Sequence, residues 1–198
     1  MKCYSVILAF VLAASLAGGV ANAAILRGSQ TTNVAQNMMV DLRIDTTLNT
    51  VAITMTGPEA VWFGVGFEPL THPDGPTTYS VIPLGGALAP DVQEWALGAF
   101  GPVSLLADSL SVDLNTASAG VRTVKLSGLQ AGVNYTYPTI PKTMDISWAY
   151  GSGPDFAFHA GRGETTLSLI EIPEPSTMLL AAASLLCLGC CKLSSRRS

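Results

Sequence analysis

The sequence predicts an all-β domain, a single antiparallel β-sandwich, flanked by an apolar helix at each end. Three observations carry this. Apolar and polar residues alternate over short stretches, the period-two pattern of a strand with one buried face. Clusters of Gly, Pro, Asn and Asp punctuate those stretches. Between the two ends, no long stretch repeats its apolar residues at the 3.6-residue spacing of an amphipathic helix.

The ends are processing segments and are set aside from the fold. Met1-Lys2 opens a positive region, Val6 to Leu16 is apolar, and Ala21-Asn22-Ala23 reads as a small-residue cleavage site. Residues 1–23 are therefore expected to be a secretory signal peptide. At the other end, residues 172–198 hold Pro173-Glu174-Pro175-Ser176, an apolar run from Met178 to about Leu193, and a basic close with Lys192, Arg196 and Arg197. The two prolines lack a backbone donor and force extended conformation, so they read as an exposed linker. The apolar run is long enough to enter a bilayer, and the basic end favours the cytoplasmic side, which leaves the body outside.

The body accounts for the rest. It holds no Cys: Cys3 lies in the leader, and Cys187, Cys190 and Cys191 lie in the tail. An exported domain without disulfides must be held by its core alone. Cys187 and Cys190 spell a CxxC, but in an apolar run beside Gly189 they read as small residues packing in a membrane helix. The whole chain carries 10 basic and 14 acidic residues, and within residues 24–171 the count is 6 against 13. So acidic a body is expected to be repelled by nucleic acid.

Residues 24–37 are mostly small and polar and read as a disordered lead-in. From 38 to 171 the strands begin. Val40, Leu42 and Ile44 alternate with Asp41, Arg43 and Asp45, and after a turn at residues 46–50 Val51, Ile53 and Met55 alternate with small polar residues. This reads as an antiparallel pair. Val61 to Phe67 is apolar on both faces, as in a central strand, and Gly64 and Gly66 suggest that another group approaches closely there. Thr77–Pro83, Asp91–Leu97, Leu110–Leu114 and Val121–Leu126 follow as strands, with a polar turn over 115–120. Met144–Tyr150, Asp155–His159 and Thr165–Ile170 complete the set, with Gly161-Arg162-Gly163 as a tight turn.

No enzyme signature is present. The chain has 2 His, no HExxH and no Ser-His-Asp order. Asp74-Gly75 in a Pro-flanked loop reads as a solvated turn.

Two family resemblances follow from these motifs. The order PEPS, apolar helix, Arg pair resembles the PEP-CTERM sorting signal. That implies processing by an exosortase-type membrane protease in a Gram-negative, exopolysaccharide-making bacterium, with the body at the cell surface, in the outer membrane or secreted into the biofilm matrix. The Gly64-Val65-Gly66-Phe67 strand, Asp91 to Gly98, Arg122 to Leu126 and the run from Ile146 to Gly163 together resemble a DOMON domain. DOMON domains are extracellular, Ig-like sandwiches that in several branches bind haem b or sugar. In haem-binding members a Met soon after the Gly-rich strand and a His in the penultimate strand ligate the iron. The His carries over onto His159. No Met lies between Met55 and Met144, and the loop in question holds His72 instead.

His159 thus has three readings. It is an axial haem ligand with His72 as its partner. Or it lines a sugar cleft with Trp148, Tyr150 and Arg162, whose aromatic faces and planar donor suit a polyol. Or it is a structural histidine at a strand end. The functional expectation is an exported, surface-sorted, non-enzymatic protein that binds a ligand or plays a structural part at the exopolysaccharide matrix. The alternative is an extracytoplasmic haem b electron-transfer domain with His159 as ligand.

Overall fold

The computed structural model describes residues 24–68, 78–86, 91–98 and 104–172. The leader, the PEPS motif with its apolar run and Arg196-Arg197, all four cysteines, and the loop carrying His72 lie outside the described residues. Among the described residues no helix is long and apolar enough to cross a membrane.

The described chain is all-β and antiparallel. The first half runs through β1 (Ile25–Asn33), β2 (Met38–Asp45), β3 (Thr50–Pro58), β4 (Phe63–Phe67) and β5 (Thr78–Pro83). It continues through β6 (Val92–Leu97) and the two-residue β7 (Ser104–Leu105). The second half holds β8 (Ser111–Ser118), β9 (Val121–Leu129), β10 (Lys142–Gly151) and the long β11 (His159–Ile172). The order across the sheet is β7-β6-β5-β4-β10-β11-β1-β2-β3-β9-β8.

This is one continuous 11-stranded sheet rather than two separate ones. It curls into a half-barrel because β11 serves both sides. Residues 159–169 of β11 pair with β10, and Ile170, Glu171 and Ile172 pair with Arg27, Leu26 and Ile25 of β1. The two arms then fold over a shared core. Leu26, Val40, Leu42, Ile53 and Met55 come from one arm, and Phe63, Val65, Phe67, Met144 and Ile146 from the other, all in one buried cluster. Contact between the arms is direct: a Cβ at Gly57 of β3 would lie 2.5 Å from the Phe63 ring of β4.

The alternation of β2 and β3 places Met38, Val40, Leu42 and Ile44, and Val51, Ile53 and Met55, in that core. Their turn is built as the residues suggest. The Asp45 carboxylate accepts from the backbone N–H of Thr47 (3.1 Å) and Leu48 (3.0 Å), and Asn49 takes a left-handed φ of 54°. In β4 every residue is buried, and Gly64 and Gly66 do sit under close neighbours. At Gly66 a Cβ would lie 2.5 Å from Ser147 Oγ and 2.8 Å from Ser80 Oγ.

Four expectations are corrected. Residues 24–37 are not a disordered lead-in: β1 lies between β11 and β2 with Leu26 fully buried, and Gly28 leaves room for the Ser168 carbonyl. The polar turn at 115–120 shrinks to Ala119-Gly120, both left-handed, because β8 extends along β9 to Ser118. Gly161-Arg162-Gly163 is no turn but part of β11, paired with Tyr150, Ala149 and Trp148. Residues 155–158 form no strand, and only His159 of that stretch enters one.

A buried carboxylate ties the short β6 to its surroundings. Glu94 is almost fully buried and accepts from Tyr79 Oη (2.7 Å), Ser109 N (2.5 Å), Ser109 Oγ (2.6 Å), Leu110 N (2.8 Å) and Asn134 Nδ2 (2.7 Å). These donors come from β5, from the approach to β8 and from the loop before β10. Burial alone pushes the Glu94 carboxyl up, but the hydrogen bonds from Ser109, Asn134 and Tyr79 outweigh it and hold it below the usual carboxylate range. A carboxylate held low stabilises the fold above its unfolded value, about 4.3, and that contribution is lost as pH falls through the folded value. Chemical denaturation as a function of pH should therefore show stability dropping in the acid range below about pH 4. Glu94→Gln, which leaves buried donors without an acceptor, should cost about 1–3 kcal/mol at neutral pH and flatten the acid limb. An unchanged acid limb in that variant would refute the assignment.

Candidate functional site

The inner face of β10 reads Met144, Ile146, Trp148, Tyr150. The first two are fully buried and the last two half-buried, so the core opens to solvent at this end. The Trp148 and Tyr150 rings stand parallel, 6.5 Å apart with an interplanar angle of 2°. They can lie so because their partners across the ladder are glycines. Trp148 pairs with Gly163 and Tyr150 with Gly161. A Cβ on either glycine would fall 2.5 Å from the ring beside it, closer than van der Waals contact allows. Two missing side chains on β11 thus make the seat for two flat aromatic faces.

His159 begins β11 at the same end. It pairs with Gly151, while the next pair is Tyr150 with Gly161, so Ala160 is an extra residue and the strand bulges. The imidazole is exposed, and no described hydrogen bond or ion pair holds it. A neutral imidazole nitrogen left in this way has its lone pair free for a metal or a donor.

The other expected site residues fall elsewhere. Arg162 pairs with Ala149, so it is on the opposite face of the sheet from Trp148 and Tyr150, and it is exposed. The four-residue cleft of Trp148, Tyr150, His159 and Arg162 is not assembled as one surface. His72 lies outside the described residues. Glu68, the last described residue before its loop, donates its N–H to the Asp145 carbonyl. His159 pairs at the far end of β10, six residues beyond Asp145, about 20 Å along a strand. A ligand from the loop after β4 would have to cross that span to share one iron with His159.

Among the described residues no cluster of three or more His, Cys, Asp or Glu could hold a metal ion. Met38, Met55 and Met144 are packed in the core. Outside the core the described residues offer the exposed His159 and the half-buried Met39 as haem-type donors, and His159, paired with Gly151 over Trp62, falls on the face opposite Trp148 and Tyr150. The His159 imidazole fits one side of a haem iron. A separate open cavity of about 470 Å³ lies beside the edge strand β8, with Val112, Leu114, Asn115 and Arg122 in its wall, and it does not include Trp148, Tyr150 or His159. Arg122 there is buried on the inner face of β9, donates from Nε to Asn115 Oδ1 (2.8 Å), and has its pKa lowered to about 10 by burial.

Sequence reasoning named Trp148, Tyr150 and His159 as candidates but missed the two glycine seats. The signal was present: two glycines spaced by two, as are the two aromatics, match a ladder as well as a turn. Gly163→Ala should displace the Trp148 ring. The expected outcome is a shift in tryptophan emission and a loss of about 1–3 kcal/mol in denaturant unfolding, as for overpacking. Emission and stability both equal to wild type would mean the seat is not needed.

Comparison with known proteins bears on the fold. No family model matches the chain, and no curated protein does. Among solved structures, the crystal structure of the cytochrome b domain of pyranose dehydrogenase from Coprinopsis cinerea is similar, with a TM-score of 0.52 over 69% of this chain and 79% of that one. The identity is 10%, so what the two share is the fold. The described chain shares an antiparallel all-β fold with that domain.

Proposed function

We propose that this chain is an exported, non-enzymatic ligand-binding domain whose ligand is haem b, with His159 as one axial ligand. The observation that carries the reading is the exposed imidazole of His159 at the β11 bulge, which no described hydrogen bond or ion pair holds. The similar fold of a cytochrome b domain supports it. Bound haem supplies a one-electron iron couple. The chain's own part would be to present the His159 imidazole to the iron.

Export and sorting belong to the same proposal. They rest on the leader with Ala21-Asn22-Ala23 and on the Pro173-Glu174-Pro175-Ser176 tail, and they place the body at the surface or in the exopolysaccharide matrix of a Gram-negative cell, after exosortase-type processing. Electron transfer to a protein partner, rather than substrate turnover, is the activity this implies.

A second reading is favoured by one specific observation. Parallel, half-exposed aromatic rings with no side chain behind them form a flat platform, which suits the apolar face of a sugar ring. In that reading the domain binds matrix polysaccharide, and His159 is a bystander.

One experiment separates the two. The full chain is expressed with haem available, purified, and its visible spectrum recorded. A Soret band that His159→Ala abolishes, with strand circular dichroism intact, is the expected result. A colourless wild-type protein that binds the host's extracellular polysaccharide, and loses that binding in Trp148→Ala, would replace haem with sugar.

A further inference from the structure

The segment from Ser152 to Phe158 leaves β10 and re-enters the sheet at His159 without forming a strand. It is nonetheless pinned. Trp62 donates its N–H to the Gly153 carbonyl (3.0 Å), Gly85 donates to Pro154 (2.9 Å), and Gly151 donates to Trp62 (2.9 Å). The segment therefore runs as a strap over the outer face of the sheet, opposite the main core.

One side chain anchors the strap. The Phe156 ring sits against Trp62, 5.0 Å away and edge-on at 80°, and against Trp95, 4.9 Å away at 45°. Ile82, Leu84 and Ala149 complete this second cluster, which is separate from the shared core. Trp62 also supports the strand that His159 pairs with: a Cβ on Gly151 would fall 2.0 Å from Trp62 Nε1, so the last residue of β10 rests directly on that indole. Among the described residues no hydrogen bond or ring contact holds Ala157 or Phe158. Ala157 is exposed, and Phe158 is 91% exposed.

Two features thus set the place of His159, the Gly151 pairing and the Phe156 seat, and both rest on Trp62. We propose that Phe156 is a positioning residue for His159: held between Trp62 and Trp95, it fixes the strap so that the imidazole is presented at the β11 bulge. The effect on ligand affinity rests on the haem reading given above. The effect on the local geometry does not. Supports one shell removed from a metal ligand commonly change affinity by about 10–100-fold.

The test uses the full chain with Phe156→Ala and Phe156→Tyr, which restores a ring. Amide exchange of Ala160 and Gly161, followed by NMR without haem, reports the geometry, and the rate of haem loss reports the affinity. In Phe156→Ala the Ala160 and Gly161 amides should exchange at least tenfold faster while Leu167 keeps its rate, and haem should leave about 10–100-fold faster. Phe156→Tyr should restore both. Should Phe156→Ala fail to fold, Phe156→Leu keeps the apolar volume without the ring and should show the same changes in smaller degree. Unchanged exchange at Gly161 in whichever variant folds overturns the proposal. Faster exchange in a protein that never takes up haem would keep the positioning role and remove the haem reading.

Discussion

The whole arrangement depends on β11 belonging to both arms of the sheet. Its first eleven residues complete the ladder with β10, and its last three hydrogen-bond to β1. A strand that changes partners part-way along forces the sheet to turn, and the turn brings the apolar faces of the two arms together. The core then needs no disulfide. Leu26, Val40, Ile53 and Met55 on one side meet Phe63, Val65, Met144 and Ile146 on the other, and each is essentially without solvent exposure. Burial of roughly 1.5–3 kcal/mol per large apolar side chain is the dominant favourable term in such a fold.

The site is a consequence of the same ladder. Because β10 and β11 are in register up to the bulge, the two glycines fall opposite the two aromatic residues, and the core ends in a pair of parallel rings rather than in a closed lid. The bulge then releases His159 from the alternation at the point where the strap arrives. One end of the fold is closed by a different device, in which Phe67, Tyr79, Tyr135 and Tyr137 pack against one another near the Glu94 carboxylate. Burial pushes the phenols of Tyr79 and Tyr135 up, so both stay protonated and able to donate. One end is thus closed around a hydrogen-bonded carboxylate, while the other leaves Trp148 and Tyr150 half-buried.

Much of the fold was legible because the residues follow period two. Val40 to Ile44 and Val51 to Met55 show it cleanly, and both are where the alternation places them. β1 was not legible, since only Leu26 among its inner positions is a large apolar residue. Gly28 is small because the Ser168 carbonyl takes the space. Burial there comes from neighbouring strands, which composition cannot show. Gly161 and Gly163 misled in the opposite direction: glycine usually marks a turn, whereas here it makes room for rings on the next strand. Residues 155–159 alternate like a strand, but Phe156 finds two tryptophans on the outer face, distant in sequence, and the chain follows the ring rather than the ladder. In the same way Arg162 and His159, paired with Ala149 and Gly151, fall on the face opposite Trp148 and Tyr150, which only the register reveals.

The protein's 3 tryptophans are Trp62, Trp95 and Trp148, and all lie in the arm formed by β4 to β7 with β10. Their fluorescence therefore reports one arm, while far-ultraviolet circular dichroism reports the strands of both. Denaturant unfolding followed by the two signals on the same samples tests whether β11 makes the arms a single body. Coincident transitions with one midpoint are expected. A tryptophan transition clearly separated from the loss of strand signal would contradict a shared core and would leave the site on an arm that opens by itself.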